Sequence, residues 1–327
     1  MRLVALADTL RGAFAECLFV SRDAASLPPL LTAAQPLGIP AALSGADEAA
    51  WLAMHVLQPT DVLLLDGYEF GLEYQQILRA AVGRLVYVDD LRAWPVEADV
   101  LINHSPGVTP AMYQTPHPGT ALMLGPGFSL LREPILAAAR RPLAPRPVRS
   151  ALLCFGGADP LGLTARCLPL LLSRPELREI GILPGFTNPA LPALRQQASA
   201  APGRVVLHEP AGAAQLVELL RHYDCLIGPA STILIEALIL GRPAITGYYA
   251  DNQRHLADFV AAHEQAYSAG NFTELTDAGL LASLAAGLEW LARTPRRPYA
   301  EGLRHAELRA RITAPLPDRP RTSPAKS

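Results

Sequence analysis

Lysine is nearly absent from this sequence of 327 residues, in which Lys326 is the single lysine among 28 basic residues. Walker-type phosphate binding and Schiff-base chemistry with pyridoxal phosphate both need a lysine within a defined motif or pocket. The sequence therefore excludes those two classes of enzyme. Charged residues amount to only 18% and the formal net charge is −2. That balance argues against a surface whose main partner is nucleic acid or an anionic membrane.

Cysteine is also scarce, and the four cysteines fall singly, without any CxxC pair. Cys17, Cys154 and Cys225 lie in apolar runs, which predicts buried, reduced thiols in a cytoplasmic protein. No run of 18 apolar residues occurs, and the beginning of the sequence lacks the pattern of a signal peptide. These absences predict a soluble protein without a membrane partner, and we expect a monomer.

Half of the residues are hydrophobic, so a large core is available, and the length favours two domains. The prolines are concentrated in two places, RPLAPRPVR at 141–149 and APLPDRPRTSPAKS at 314–327. Stretches of this composition predict a stiff linker and a disordered tail. The predicted organisation is an N-terminal domain (1–141), a linker (142–149), a C-terminal domain (150–296), a helical segment (297–313) and the tail (314–327). We expect Leu303, Leu308 and Ile312 to pack the helical segment back onto the N-terminal domain.

Short apolar runs alternate with amphipathic stretches in both halves of the sequence. Near-continuous apolar strands that alternate with helices predict parallel sheets covered on both faces. The expected fold is therefore α/β, with two Rossmann-like domains whose central cleft lies at the carboxyl ends of the strands. The predicted strands are 16–20, 61–66, 84–89 and 99–102 in the first half, and 150–155, 179–183, 204–208, 224–228 and 243–246 in the second.

The sequence opens with helical periodicity, because Leu3, Leu6, Ala7 and Leu10 share one face of a helix. An α/β domain normally begins with a strand followed by a loop that carries chemistry. We therefore expect the first strand of the N-terminal domain to be absent from this sequence.

A predicted strand ends in Gly156-Gly157, ahead of Asp159 and Pro160. Asp159 is a suitable N-cap and Pro160 a suitable first helical residue. The amides that follow would favour an anion such as a phosphate. The alternative interpretation is an ordinary turn between a strand and a helix.

Two further segments repeat this arrangement in the second half. In the first, Ser231 and Thr232 begin a helix, where their hydroxyls and amides suit a diphosphate, and Glu236 follows one turn later. Glu236 could accept both hydroxyls of a ribose, or could be a solvated helix residue. In the second, Asn252 and Gln253 could contact a hexose or a phosphate, or could cap their own helix. The His, Cys and carboxylate residues lack metal-ligand spacing, so we expect neither a metal nor another cofactor.

The order of these segments, FGGADP, GPASTILIEALILGRP and DNQ, resembles the nucleotide-binding domain of GT-B-type nucleotide-sugar enzymes. The sequence as a whole is similar to the UDP-2,4-diacetamido-2,4,6-trideoxy-β-L-altropyranose hydrolases of pseudaminic acid biosynthesis. The first-half motifs that carry this similarity are Asp66-Gly67-Tyr68, Val88-Asp89-Asp90-Leu91, ADVLIN at 98–103 and LGPGFSLLRE at 124–133.

The resemblance implies a GT-B hydrolase that releases UDP from a UDP-linked amino sugar by attack of water at the anomeric carbon. The positions that match UDP-holding or cleft-facing residues of the family are Gly156, Gly157, Ser231, Thr232 and Glu236, with Asp66 and Tyr68 in the substrate cleft. The family's catalytic histidine lies in an N-terminal loop, G-x-G-H-x-x-R. Met1-Arg2 aligns with the end of that loop, so the catalytic residue is unknown here and we expect the true start upstream.

Three functions stay open at this stage. The first is the hydrolase with its true start upstream, and the second is a GT-B glycosyltransferase that uses a larger acceptor. The third is a non-catalytic nucleotide-sugar-binding protein, if the chain truly starts at Met1. His104, His117 and His255 are histidines that could replace the missing base. Exposed positions in loops or on a helix surface are the simpler interpretation of all three, so we assign the base to none of them.

Overall fold

The computed structural model describes residues 2–22, 34–185, 188–295, 297, 299 and 302–316. The chain divides into two units. The first comprises Met1–Arg132 together with Leu303–Ser327, and the second comprises Glu133–Gly302.

The helices and strands alternate along both units. In the described ranges, no helix is long and apolar enough to cross a membrane. The helices are α1 (Arg2–Thr9), α2 (Gly45–His55), α3 (Leu72–Ala81), α4 (Glu133–Ala139), α5 (Leu163–Leu172), α6 (Leu191–Ala200), α7 (Ala213–His222), α8 (Thr232–Ile239), α9 (Asp251–Ala262), α10 (Asp277–Arg293) and α11 (His305–Thr313). The strands are β1 (Leu18–Ser21), β2 (Gln35–Gly38), β3 (Val62–Asp66), β4 (Arg84–Val88), β5 (Val100–Asn103), β6 (Ala121–Leu124), β7 (Ser150–Leu153), β8 (Glu179–Ile182), β9 (Val205–Leu207), β10 (Cys225–Ile227), β11 (Ala244–Tyr248) and β12 (Tyr267–Asn271).

The strands pair in parallel in both units. In the second unit they form one sheet with the order β12-β11-β10-β7-β8-β9. In the first unit β3-β4-β5-β6 form one sheet, and β1 and β2 form a separate parallel pair. The predicted fold class, two parallel α/β units, is confirmed. In each main sheet the carboxyl ends of the strands share one edge, where ligands of such folds usually bind.

The strand β4 shows why the first unit forms layers. All five of its residues are buried, and successive side chains point to opposite faces of the sheet. Val86 and Val88 pack in one apolar cluster with residues of α1 and α11, whereas Leu85 and Tyr87 pack in another with residues of α3. A continuous apolar run is therefore what a strand covered on both faces requires.

The helix α11 belongs to the core of the first unit. Leu308 and Ile312, one helical turn apart, are fully buried among residues of α1 and β4, whereas Leu303 is only half-buried. The buried guanidinium of Arg84 donates to the carbonyl oxygens of Ile312 and Ala314 at 2.7 Å, and to that of Pro315 at 2.9 Å. The predicted tail is therefore held at its start, and residues 317–327 lie outside the described residues.

The predicted linker 142–149 lies within the second unit rather than between the units. The Leu143 N–H donates to the carbonyl oxygen of Leu240 at 2.8 Å, and Arg146 forms an ion pair with Asp224. The carboxylate of Asp224 also accepts the Arg149 N–H at 2.8 Å. The prolines are thus typical of an extended backbone, and these hydrogen bonds and the ion pair hold that backbone to other residues of the second unit.

The four cysteine thiols differ in their exposure to solvent. Cys154, Cys167 and Cys225 are buried, but Cys17 is exposed just before β1. The prediction for Cys17 was wrong because β1 is not a core strand: its first residue, Leu18, is 45% exposed.

Candidate functional site

Glycine residues, which have no side chain, lie at the carboxyl edge of the sheet in the second unit. Gly156, three residues beyond the end of β7, has a φ of +82°, which a side chain disfavours. A Cβ atom on Gly185 would lie 2.2 Å from the Cα atom of Gly157, and one on Gly228 would lie 2.5 Å from the carbonyl oxygen of Cys154. The three segments that follow β7, β8 and β10 can therefore approach one another this closely only because they carry glycine at the points of contact. Sequence reasoning found Gly156-Gly157 but missed Gly185, although Gly185 also follows a strand.

The start of α5 is already occupied by an anion of the protein itself. The buried carboxylate of Asp159 accepts the N–H groups of Leu163 at 2.8 Å and of Thr164 at 2.9 Å. The helix therefore begins at Leu163 rather than at the predicted Pro160, after Gly162 in the left-handed conformation. Because Asp159 fills the position where a phosphate was expected, we do not place a phosphate at this helix.

The start of α8, by contrast, is open. Ser231 is its N-cap in an extended conformation, and the first hydrogen bond within the turn is donated by the Leu234 N–H to the Ser231 carbonyl oxygen. Within the described residues, the N–H groups of Thr232 and Ile233 have no acceptor. Two unpaired amides at the positive end of a helix dipole favour an anion such as a phosphate.

Glu236 lies one turn further along α8 and is only 3% exposed, which corrects the alternative of a solvated glutamate. Burial, the largest cause, together with the charges of Glu236 and Asp159, raises the pKa of the Cys154 thiol to about 11. The charge of Glu236 therefore acts on Cys154, the residue that follows β7. A buried carboxylate in this place can accept two neighbouring hydroxyl groups.

At the start of α9, a side chain forms its hydrogen bond within its own turn. The Gln253 side-chain oxygen accepts the Tyr249 N–H at 3.2 Å, so Gln253 caps its own turn, as the simpler interpretation had it. Asn252 is exposed. The Tyr249 hydroxyl lies 3.8 Å from the position that a Cβ atom of Gly156 would take, so Tyr249 reaches the glycine turn. Its only sequence signal is its place directly after β11.

A second cluster lies at the carboxyl edge of the sheet in the first unit. The Arg2 guanidinium bridges the carboxylates of Asp66, 2.5 Å away, and Asp90, 2.8 Å away. Asp66 is the predicted cleft residue at the end of β3, and Asp90 follows β4. Across the described ranges, no group of three or more His, Cys, Asp or Glu side chains could hold a metal ion.

Buried polar residues fix the backbone on which this cluster stands. The Tyr113 hydroxyl donates to the Asp89 carboxylate at 2.9 Å and accepts from the Asn103 amide at 2.6 Å. Asp89 and Asn103 are both buried at the ends of β4 and β5. They immediately precede Asp90 and His104, so the network sets where those two residues lie.

His104 is the histidine at this edge, and it is not an exposed loop residue. Its Nδ1 atom is buried and has no hydrogen-bond partner among the described residues. Burial, the largest cause, and the charge of Arg2 together lower the pKa of His104 to about 4. The other two histidines considered lie elsewhere: His117 is 3.7 Å from Asp99, which precedes β5 at the opposite edge, and His255 is exposed on α9.

We expect His104→Leu to make the protein more resistant to acid. In the unfolded chain this imidazole takes up its proton near pH 6.5, but in the folded protein only near pH 4. Between those values the unfolded state binds more protons, so the free energy of unfolding falls as the pH drops from about 6.5 to about 4. Removal of the imidazole removes that dependence.

Urea unfolding at pH 7.5 and pH 4.5 checks this expectation. The loss of unfolding free energy between the two pH values should be smaller for His104→Leu than for the parent protein. His255→Leu, at an exposed position, should show the parent's loss. Equal losses in all three proteins would show that His104 titrates as an ordinary surface histidine.

Aromatic side chains border the same cluster. Tyr68 is 47% exposed and Trp94 is 45% exposed. The Trp94 indole N–H donates to the Tyr68 carbonyl oxygen at 3.1 Å, and the Arg2 guanidinium lies 5.8 Å from the centre of the Tyr68 ring. The predicted cleft residue Tyr68 is therefore at the carboxyl edge, together with a tryptophan that sequence reasoning missed.

Comparison with known proteins gives limited similarity in sequence. No protein-family profile matches this chain. A protein of uncharacterised function from Methanocaldococcus jannaschii is 22% identical over 208 residues, which are 61% of this chain and 42% of the relative. The match thus spans less than half of that relative's length.

Similarity in structure is more extensive. MurG of Acinetobacter baumannii superposes with a TM-score of 0.58 at 14% identity, over 95% of this chain and 94% of MurG. The fold is of the GT-B type. A Listeria monocytogenes protein described as a UDP-N-acetylglucosamine 2-epimerase gives a TM-score of 0.52 at 15% identity, over 96% of this chain and 92% of that protein. At such identities the likeness to these GT-B structures establishes the fold alone.

Proposed function

We propose that this GT-B chain is an enzyme that binds a UDP-linked amino sugar and releases UDP by hydrolysis. The observation that carries the proposal is the open start of α8, where two unpaired amides lie one turn from the buried Glu236. A solved GT-B structure with a UDP-sugar in its description supports the choice of nucleotide. The hydrolytic reaction and the diacetamido-trideoxy sugar rest on the sequence resemblance.

In this proposal the diphosphate accepts the N–H groups of Thr232 and Ile233, with the hydroxyls of Ser231 and Thr232 beside them. The ribose hydroxyls donate to Glu236. The backbone at Gly156 and Gly157 allows the nucleotide to approach without a side chain between them, and Asn252 is a further candidate contact on the exposed start of α9.

The same arrangement can assist the reaction. When the bond between the anomeric carbon and the phosphate oxygen breaks, its electron pair leaves with UDP and negative charge grows on the diphosphate. Helix N–H groups fixed at that position stabilise the growing charge more than they stabilise the substrate. Water supplies the oxygen that binds the anomeric carbon, and its proton is released.

Transfer of the sugar to an acceptor other than water is the second candidate. It is favoured by the exposed faces of Tyr68 and Trp94, because exposed aromatic side chains of this kind often mark a place where a ligand packs.

Release of UDP from the full chain tests these candidates. We expect the UDP-linked diacetamido-trideoxy sugar to yield UDP in water alone, with one equivalent of the free sugar. Release that requires an added saccharide would establish the transferase instead. Tight binding of UDP without release under either condition would indicate a binding protein, and absence of UDP binding would overturn the whole proposal.

A further inference from the structure

We propose that two copies of this chain associate through β6 and α11 of the first unit, related by a two-fold axis. The strand β6 is at the end of the four-stranded sheet, and α11 packs on one face of that sheet. The proposal is independent of the proposed function, since it uses no residue of the nucleotide site. It differs from the monomer expected from the sequence, because the edge position of β6 becomes visible only in the fold.

The outer edge of β6 has backbone groups that can pair with a further strand. The Gly125 N–H, directly after β6, donates to the carbonyl oxygen of Asn103 at 2.9 Å, on the side of β5. Because successive N–H groups of a strand point to opposite sides, those of Leu122 and Leu124 lie on the same side as each other and away from β5. Among the described residues, no strand pairs with β6 on that side. An edge of this kind is a template for strand pairing.

The residues of β6 do not protect this edge. Its sequence, ALML, contains no charged residue and no proline, which are the residues that usually discourage pairing at an open edge. Leu122 and Leu124 are only half-buried within one copy. At the other end of the same sheet, β3 lies near the β1–β2 pair, since Arg22 after β1 is 3.8 Å from Glu69 after β3. The edge at β6 is therefore apolar and accessible to a second chain.

The exposed face of α11 borders this edge. A groove of about 390 Å³ lies between the strand and the helix. It is lined by Met123 of β6 and, from α11 and the residue after it, by Glu307, Ala310, Arg311 and Ala314. Met123 packs in the same apolar cluster as Leu308 and Ile312, which cover the sheet from the other face of α11. The edge of β6 and the exposed face of α11 thus form one continuous surface.

The charges on this face of α11 are complementary to their own copy. Glu307 and Arg311 are both exposed and lie one helical turn apart. Glu307 is paired with Arg304 at 2.7 Å, but within the described ranges Arg311 forms no ion pair. A two-fold axis that crosses α11 makes the two helices antiparallel, so Glu307 of one copy lies opposite Arg311 of the other, twice. A second copy of this chain is therefore the partner that the charge pattern selects.

The same axis makes β6 antiparallel to β6 of the other copy. The outward N–H and carbonyl groups of Leu122 and Leu124 then pair across the axis, and two four-stranded sheets join into one of eight strands. Exposed ion pairs contribute little free energy each, so the strand pairing and the leucines hold the dimer while the charges select its orientation.

Sedimentation equilibrium on the full chain tests the proposal. We expect the parent protein to have the mass of two chains rather than the 35.0 kDa of one, at concentrations of about 10–100 μM. Glu307→Arg and Arg311→Glu each place like charges opposite one another, so each should raise the dissociation constant of the dimer by about tenfold or more. An equimolar mixture of the two variants should associate again, because every contact across the axis then joins opposite charges. Arg293→Glu, at an exposed position on α10 of the second unit, should keep the parent's mass.

Hydrogen exchange tests the contribution of the strand. The amides of Leu122 and Leu124 should exchange more slowly in the parent protein than in Glu307→Arg at the same concentration. Amides on β9 of the second unit should exchange equally in both proteins. If the β6 amides also exchange equally although the masses differ, the copies do not pair through this strand and the proposal is overturned.

The masses decide the rest. A parent protein with the mass of one chain throughout the concentration range would overturn the proposal. Single variants that keep the parent's mass would overturn it too, as would a mixture in which the two variants do not associate, because the copies would then meet at another surface. Restored association in the mixture also shows that both variants fold. None of these results depends on UDP release, so failure of the dimer leaves the proposed function standing.

Discussion

Glutamine in place of Glu236 is expected to weaken UDP binding by about 1.5–3 kcal/mol, which is about 10- to 150-fold in the dissociation constant. The carboxylate has two acceptor oxygens for the two ribose hydroxyls, and glutamine keeps one of them. Because Glu236 is 3% exposed, alanine would also leave a cavity, whereas glutamine keeps the volume and isolates the loss of charge.

Calorimetry with UDP on the full chain, together with the melting temperature of each protein, checks this prediction. Glu289→Gln is the matched control, since Glu289 is an exposed glutamate on α10 of the same unit. It should bind UDP as the parent does. If Glu236→Gln also binds UDP with the parent's affinity, Glu236 does not hold the ribose.

The second large effect concerns α11. Leu308→Ala and Ile312→Ala should each lower the free energy of unfolding of the first unit by about 2–5 kcal/mol, because both side chains are fully buried and leave cavities beneath the helix. The double variant should approach the whole stability of an ordinary domain, about 5–15 kcal/mol.

Urea unfolding monitored by hydrogen exchange resolves the effect by unit. Protection of amides on β4 should fall in both variants, and protection on β7 of the second unit should not. Ala306→Ser, at an exposed position on the same helix, should leave both unchanged. A loss below about 1 kcal/mol in the single variants would mean that the first unit is stable without the packing of α11.

The sequence predicts interior strands far better than edge strands, for a physical reason. The runs 84–89 and 224–228 contain β4 and β10, which are paired on both sides and buried, so nearly every residue is apolar. The strands that were missed, β2, β6 and β12, each lie at an edge of their sheet. Edge strands bury less, so a sequence such as QPLG or YSAGN carries too little apolar periodicity to indicate a strand.

The candidate sites also differ in what the sequence can predict, because some are formed by neighbouring residues and others by residues far apart in the chain. The glycine turn at 156–157 and the start of α8 are local patterns, and both lie where the sequence placed them. Asp90 and His104 come together only through the pairing of β4 with β5, and Arg2 reaches Asp90 from α1, an arrangement that no local pattern reveals. Burial of Glu236 had a signal that was overlooked: every residue of α8 except Thr232 and Glu236 is apolar, and such a helix is mostly buried.

The placement of α11 has a consequence for how the protein is made. The second unit is continuous in the chain, but the first unit needs a helix that is encoded about 180 residues after its last strand. At roughly 5–20 residues per second, a ribosome takes about 10 to 40 s to add the residues between Arg132 and Ile312. Throughout that interval the second unit is itself being synthesised, and Val86 and Val88 still lack the helix that covers them. Nascent chains therefore carry an apolar surface on their older half, and that half is where chaperones should bind during synthesis.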